Sequence, residues 1–409
     1  MLTLISPDEA RRLILERAAP LSAQTVAHGE ALGRTLARDI VSTLQLPAFD
    51  NSAMDGYALR AADVSDASET APVKLQILEI IGAGDVPQST VLRGFCSKIM
   101  TGAPLPSGAD AVVMREDTRE NAQNVEILTT ARVGENIRRA GSDVARGEVV
   151  LKSGTIIGAA QWAMLASLGL AQIEVFRRPR VAIIVTGAEL AAIEAPLGES
   201  QIRDSNSFAL RALAQNCGAE VVCVRLCGDT CHEFQSVLQE TAPLCDAIIT
   251  SGGVSAGDFD VVRDVLLASA EVIFWKIAMK PGKPLMFAQF EGKPVFALPG
   301  NPVSVMVAFE EFARPALLKM GGRRALRRPL VDVRIEGDLR SPGGKVEFVR
   351  ASIRLENGEW RAQFPADQGS GRLSTMTNAN ALLVIDAQCE YVNAGEMVPA
   401  RLIDCPEID

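Results

Sequence analysis

Apolar positions along the chain recur with two periods, and the switches between them divide it. Ala10, Leu13, Ile14 and Ala18 line one face of a helix that opens at Ser6-Pro7-Asp8-Glu9. There Ser6 and Glu9 form a capping box and Pro7 takes the first helical position. From about 40 to 140 the pattern changes to short strand signals broken by Gly and Pro, including LQILEIIGAG and ADAVVMRED, which predicts a β-rich lobe. GTIIGAAQWAMLASLGL, 154 to 170, returns to helical spacing and ends at Gly169. Residues 179 to 321 then alternate. RVAIIV (180–185), EVVCVRL (220–226), DAIIT (246–250) and EVIFWKIA (271–278) read as buried strands, and the spacing near 206–216, 231–240 and 260–269 reads as helix. Thr230-Cys231-His232-Glu233 is a second capping box, and Gly218 follows a helix end. Such βα units predict a mostly parallel, doubly wound sheet with helices on both faces. From about 327 the period is two again, in Val331-Asp332-Val333-Arg334-Ile335-Glu336, with Asn357-Gly358 as a hairpin turn, so the tail predicts a small all-β domain.

Composition narrows the function classes. With 409 residues the chain has room for two to four cores. No apolar run reaches the roughly 18 residues of a membrane span, and the N-terminus carries no signal-peptide pattern, which sets the expectation of a cytoplasmic protein with no membrane. A net charge of −9 argues against nucleic acid as the partner but leaves room for a small anion where cations gather locally. The cysteines crowd between Cys217 and Cys245, with Cys223, Cys227 and Cys231 four apart. There is no CxxC pair, and only His28 and His232 could add imidazole, so these read as small buried hydrophobes in a reducing compartment.

In an open α/β sheet, ligands bind beyond the carboxyl ends of the strands. Those ends are Thr186-Gly187-Ala188-Glu189, Cys227-Gly228-Asp229-Thr230, SGGVSAGDFD (251–260), Met279-Lys280-Pro281-Gly282-Lys283-Pro284 and Leu298-Pro299-Gly300-Asn301-Pro302-Val303-Ser304. A single Gly-rich loop is more often a structural turn; five on one edge point to a ligand. Three glycines in SGGVSAGDFD would let main-chain N–H groups of Gly252 and Gly253 approach it closely. Lys276, Lys280 and Lys283, with Ser255 and Ser304, are donors suited to oxyanions. Glu189, Asp229 and Asp260 are hard oxygen ligands suited to Mg²⁺ shared with a phosphate. There is no Walker A sequence, no complete dinucleotide fingerprint and no HExxH. In the β-rich lobe, DNSAMDGYA (50–58), MTGAP (100–104) and Gly141-Ser142-Asp143 set Asp or Thr beside Gly, which turn chemistry explains equally well one at a time.

Together these loops resemble the MoeA family of molybdopterin molybdotransferases, which includes the gephyrin E domain. The resemblance rests on DNSAMDGYA, IMTGAPLPSGADAVV (99–113), GENIRRAGSDV (134–144), SGGVSAGDFD, KIAMKPGKP (276–284) and LPGNPVS (298–304), in the family's order. It implies four domains: a discontinuous helical one from 1–48 and 141–178, a β-rich insertion at 49–140, an α/β molybdopterin-binding domain at 179–325 and a C-terminal β-barrel at 326–409. It implies a transferase that inserts molybdenum from molybdate into adenylylated molybdopterin, with Mg²⁺-dependent release of AMP. The resemblance assigns catalysis to Asp55, Asp143, Glu189, Asp229, Asp260, Lys276 and Lys280, with Glu189, Asp229 and Asp260 also the metal ligands. It assigns substrate binding to Thr101, Gly252, Gly253, Ser255, Lys283, Asn301, Ser304, Arg350 and Ser374. It further implies a homodimer whose site joins the α/β domain of one chain to the β-rich lobe of the other, with other molybdopterin-pathway enzymes as partners. One departure is Ala188, where the family often has an acidic residue. The alternatives are a molybdopterin adenylyltransferase and a catalytically idle dimeric scaffold of the same fold.

Overall fold

The computed structural model describes residues 1–255 and 260–404. Positions 256–259 of the SGGVSAGDFD loop and the last five residues of the tail lie outside the described residues. The chain forms two compact units, one from 1–38, 153–162 and 171–409, the other from 39–152 and 163–170.

The larger unit is built on a seven-stranded sheet. Its order is Leu2–Ile5, Glu271–Ile277, Met286–Phe290, Lys293–Leu298, Ala247–Ser251, Arg180–Thr186, Glu220–Cys227. Four of the pairings are parallel and two antiparallel, so the mostly parallel expectation holds, with an antiparallel insertion. That insertion is the hairpin Met286–Phe290 and Lys293–Leu298, whose turn residues Glu291 and Gly292 both have positive φ. The sequence reading used only its far end. The edge strand Leu2–Ile5 was not foreseen either, because four residues before a helix cap carry too little pattern.

Alternation along Arg180–Thr186 shows why both faces are covered. Val181, Ile183 and Val185 enter one apolar cluster with Leu210 and Ala214 of the helix Asn206–Asn216. Ala182 and Ile184 enter another with Phe234 and Leu238 of Cys231–Thr241 and with Val262 and Leu266 of Val261–Ser269. The first cluster also receives Leu13 and Ile14 from Pro7–Arg17. Both capping boxes are half formed. The Glu9 and Glu233 N–H groups donate to Ser6 Oγ and Thr230 Oγ1 at 3.2 and 3.3 Å. The Glu9 carboxylate instead takes Arg12, and that of Glu233 takes the Gly228 N–H.

The C-terminal strands close on themselves. Val346–Glu356, Glu359–Gln363, Leu330–Ile335, Met397–Leu402 and Ala381–Ile385 pair in that order, and the last returns to the first, giving a five-stranded barrel. Asn357 and Gly358 both adopt positive φ in the hairpin that the sequence signalled.

The second unit carries a six-stranded sheet in the order Ala111–Met114, Gly56–Leu59, Phe95–Ile99, Val73–Ile81, Asn124–Ile127, Thr118–Asn121. Tyr57, Leu59, Leu75 and Val125 are among its buried side chains. Its chain leaves and rejoins the larger unit, where Ala23–Ala27 pairs antiparallel with Gln172–Phe176 across the gap in sequence.

Candidate active site

Every strand-end loop named from the sequence reaches one cavity of about 580 Å³. Its walls include Gly187 and Glu189, Asp229, Ser251 to Ser255, Asp260, Pro284 and Pro299 to Pro302. Parallel strands start and stop together, so their carboxyl-end loops must gather at one edge.

Local packing explains the glycines. Gly252 has φ +98, and a Cβ there would lie 2.6 Å from the Thr186 carbonyl oxygen, so no side chain fits. Its N–H donates to the Leu298 carbonyl at 3.2 Å, so this glycine closes loop upon strand. Gly253 has φ +61 and faces Val262, 3.0 Å from where a Cβ would stand. Trp275 Nε1 donates to the Val254 carbonyl at 3.0 Å, and Arg263 Nη1 to that of Ser255 at 3.2 Å, which fixes the loop leading to the exposed Ser255 hydroxyl.

Four carboxylates line the cavity: the expected Glu189, Asp229 and Asp260, and also Asp204. Asp229 accepts the Ala188 N–H at 2.8 Å and is thereby aimed. Among the described residues no group of three or more His, Cys, Asp or Glu is assembled to hold a metal. The described cysteines, Cys231 among them, are free thiols.

The segment that leads into the helix Asn206–Asn216, together with its first residue, supplies cavity residues that sequence reasoning missed. Arg203, Asp204, Ser205 and Asn206 all line it. Asn206 Nδ2 donates to Ser251 Oγ at 2.9 Å and to the Gly300 carbonyl at 2.7 Å, tying two loops together. Asp204, one residue ahead of the N-cap Ser205, accepts the Ser207 N–H at 3.0 Å and so satisfies one of the free donors of the first turn. The run Asp204-Ser205-Asn206-Ser207 is a capping signal visible in sequence; its place on the cavity wall was not. Asn301 lines the wall and donates to Ser370 Oγ at 3.0 Å, while Ser304 is buried behind it in Pro302–Ala308.

None of the three lysines is in the cavity wall. The Lys276 ammonium stands 3.8 Å over the Trp275 ring. Lys280 pairs with Glu347 Oε1 at 2.7 Å, and Glu347 is buried. Lys283 is exposed beside Pro284, and its ammonium has no ion pair or hydrogen bond among the described residues. Arg350 is fully buried in the barrel, donating to Thr375 Oγ1 at 2.9 Å and to the Gln368 and Gly369 carbonyls. It shares a different cavity, about 680 Å³, with Ser374.

The second unit holds Asp55, Thr101 and Asp143. Asp55 Oδ1 accepts the Thr101 N–H at 2.7 Å and its hydroxyl at 2.8 Å. It lines a cavity of about 250 Å³ with Tyr57, Lys98, Arg115 and Glu120. Asp143 is exposed on the turn after Gly141. The main-chain and then the hydroxyl bond from Thr101 hold the Asp55 carboxyl below its ordinary 3.8. A depressed folded pKa contributes stability that is present above the ordinary value and lost as pH falls through the folded one. Thr101→Val removes only the hydroxyl bond, so the Asp55 pKa should rise toward 3.8 in an NMR titration. An unmoved value would mean that the hydroxyl does not stabilise the carboxylate.

No helix among the described residues is long and apolar enough to cross a membrane. Family profiles match in chain order: the MoeA N-terminal region (domain I and II) at 5–169, a probable molybdopterin binding domain at 182–319 and the MoeA C-terminal region (domain IV) at 332–403. Molybdopterin molybdenumtransferase 2 of Mycobacterium tuberculosis is 41% identical over 397 residues, covering 95% of this chain and 97% of that protein. The molybdopterin molybdenumtransferase of Haemophilus influenzae is 35% identical over 402 residues, 97% and 98% of the two chains. The crystal structure of the molybdopterin biosynthesis moeA protein of Pyrococcus horikoshii OT3 superimposes with a TM-score of 0.84 at 34% identity, covering 98% of this chain and all of that one.

Proposed function

The chain belongs to the MoeA family of molybdopterin molybdenumtransferases and is a transferase of molybdenum cofactor biosynthesis acting on small molecules, and from that premise we propose its reaction. Molybdate and adenylylated molybdopterin are the substrates. The two dithiolene sulfurs replace two of molybdate's oxygens on molybdenum; in net terms one oxygen is taken up in cleaving the phosphoanhydride, which releases AMP, and the other leaves as water. The observation that carries this reading is the convergence of Glu189, Asp229 and Asp260 with the Ser251 to Ser255 and Pro299 to Pro302 loops on one cavity.

The donor set fits Mg²⁺, which takes one or two carboxylates and fills its shell with water and substrate phosphate oxygens. Among the described residues, Glu189, Asp229 and Asp260 line the wall without being gathered into one ligand cluster, so one or two of them would hold it. When bound, the ion supplies positive charge against that developing on the phosphates. The chain's own residues do the rest. Ala188 holds Asp229 in place, Ser255 and Asn301 offer donors at the wall, and Asn206 keeps the Ser251 and Gly300 loops in register. The active unit in this reading is a homodimer, in which the Asp55 and Thr101 cluster of one copy completes the cavity of the other.

Incubation with adenylylated molybdopterin, Mg²⁺ and molybdate, following AMP release, tests the reaction; AMP production that does not depend on molybdate would exclude it. Lys283 tests the oxyanion side. Its ammonium, with no ion pair among the described residues, belongs to the residue next to the wall residue Pro284, and a charge-assisted contact is worth about 1.5–3 kcal/mol. Lys283→Ala should weaken molybdate binding roughly ten- to a hundredfold while the adenylylated pterin loses less. Equal losses for both ligands would place the oxyanion pocket elsewhere.

A further inference from the structure

In a chain of net charge −9, guanidinium groups accumulate at one place on the larger unit. A small cleft there is lined by Arg34, Arg177, Arg178, Arg323, Cys217 and Gly218, and no carboxylate is in its wall. Arg177 is accounted for, since Asp246 accepts its two nitrogens at 2.7 and 2.8 Å. The others are not. Arg34 is only 8% exposed, yet its side chain makes one hydrogen bond, to the Phe176 carbonyl at 3.0 Å. The Arg178 and Arg323 side chains make no hydrogen bond or ion pair among the described residues. Behind the cleft, Arg314 and Arg328 share a single carboxylate, Glu310, at 3.5 and 3.1 Å.

Unpaired charge near the interior is unfavourable unless something compensates it. Burial first, and then the facing Arg178, hold the Arg34 guanidinium below its ordinary pKa. Burial does the same to Arg323. Glu30 acts on Arg34 at longer range without pairing with it. Cys217 gives no relief, because burial pushes its thiol up to about 12 and leaves it neutral. Gly218 keeps the cleft open: it has φ +82, and a Cβ there would stand 3.3 Å from Arg323 Nη2.

We propose that this cleft is an anion site, separate from the catalytic cavity, that takes a small phosphate-like oxyanion between Arg34, Arg178 and Arg323. Guanidinium forks match the edges of a tetrahedral oxyanion, which would sit at the mouth of the cleft beside the exposed Arg178, because the space within holds little more than one water. The bound ion links segments far apart in sequence: Gly33 to Thr35, Phe176 to Pro179 and Gly321 to Arg323. Its occupation therefore fastens the entry into the α/β sheet at Arg180 to the end of the helix Arg314–Met320.

Inorganic phosphate titrated calorimetrically into the full chain is the test, with Arg178→Gln and Arg323→Gln as variants. Arg178 is exposed, so its variant keeps the fold even where a more buried substitution disturbs it. Wild type should bind phosphate saturably, and each variant should bind it roughly ten- to a hundredfold more weakly. Lys283→Ala should retain this binding. AMP added as a competitor separates sources: displacement of phosphate supports a nucleotide's phosphoryl group as the occupant, and no displacement supports the free ion. Phosphate binding that is absent in wild type, equal in wild type and both arginine variants, or lost only in Lys283→Ala would overturn the site.

Discussion

Asp260→Ala should lower AMP release from adenylylated molybdopterin by roughly 10²- to 10³-fold, the size of effect seen when one preorganised electrostatic group is removed from an active site. Asp229→Ala should do the same. Both side chains are partly exposed on the cavity wall and neither belongs to an apolar cluster, so the fold should persist. Asp229→Ala forfeits the hydrogen bond from Ala188, worth about 1 kcal/mol. Unfolding curves that overlay wild type beside lost turnover are the expected pair of results. Unchanged turnover in Asp260→Ala would remove it from the mechanism. The same variant serves the dimer proposal. Mixing Asp55→Ala chains with Asp260→Ala chains should restore part of the activity, because one of the two sites in the mixed dimer is then intact. No recovery after verified exchange would mean that Asp55 does not act across copies.

Glu311→Gln should destabilise the larger unit by about 3–5 kcal/mol, the range for removing one partner from a buried ion pair. Glu311 is 0% exposed in the helical run after Pro302–Ala308, and it meets two cations. Arg11 Nη2, from the N-terminal helix, lies 2.7 Å from Oε2, and Arg401, from the last barrel strand, bonds Oε1. Neutralising the acid would leave, among the described residues, Arg401 without its ion pair and Arg11 with only the one to the exposed Asp8, and both guanidiniums have little access to water. The carboxylate also joins three segments separated by about 300 and 90 residues. Chemical denaturation of wild type and variant measures the loss. A difference under about 1 kcal/mol would show that water reaches the triad and that it behaves as a surface pair.

Period and punctuation in the sequence determined the local elements and the chemistry of the strand-end loops. Strict alternation at 331–336 and the Asn357-Gly358 turn are local facts, and the structure has a strand and a hairpin there. The helices at Asn206–Asn216, Cys231–Thr241 and Val261–Ser269 follow from i, i+3, i+4 spacing that no long-range contact needs to supply. Glu189, Asp229 and Asp260 were legible as candidates because a strand's carboxyl end is a position along the chain. What tertiary structure alone decided is which side chains meet across distance. Lys280 was readable as a loop cation, yet its pairing with Glu347 depends on the register between Met279–Lys280 and the barrel strand Val346–Glu356. Asn206 was readable as the start of a helix, but its bonds to Ser251 and Gly300 come from folding three loops onto one edge. The Glu311 triad and the arginine cleft have no sequence signature, because the energy of an ion pair or of an unpaired charge depends on separation and burial in space. A linear pattern carries neither quantity.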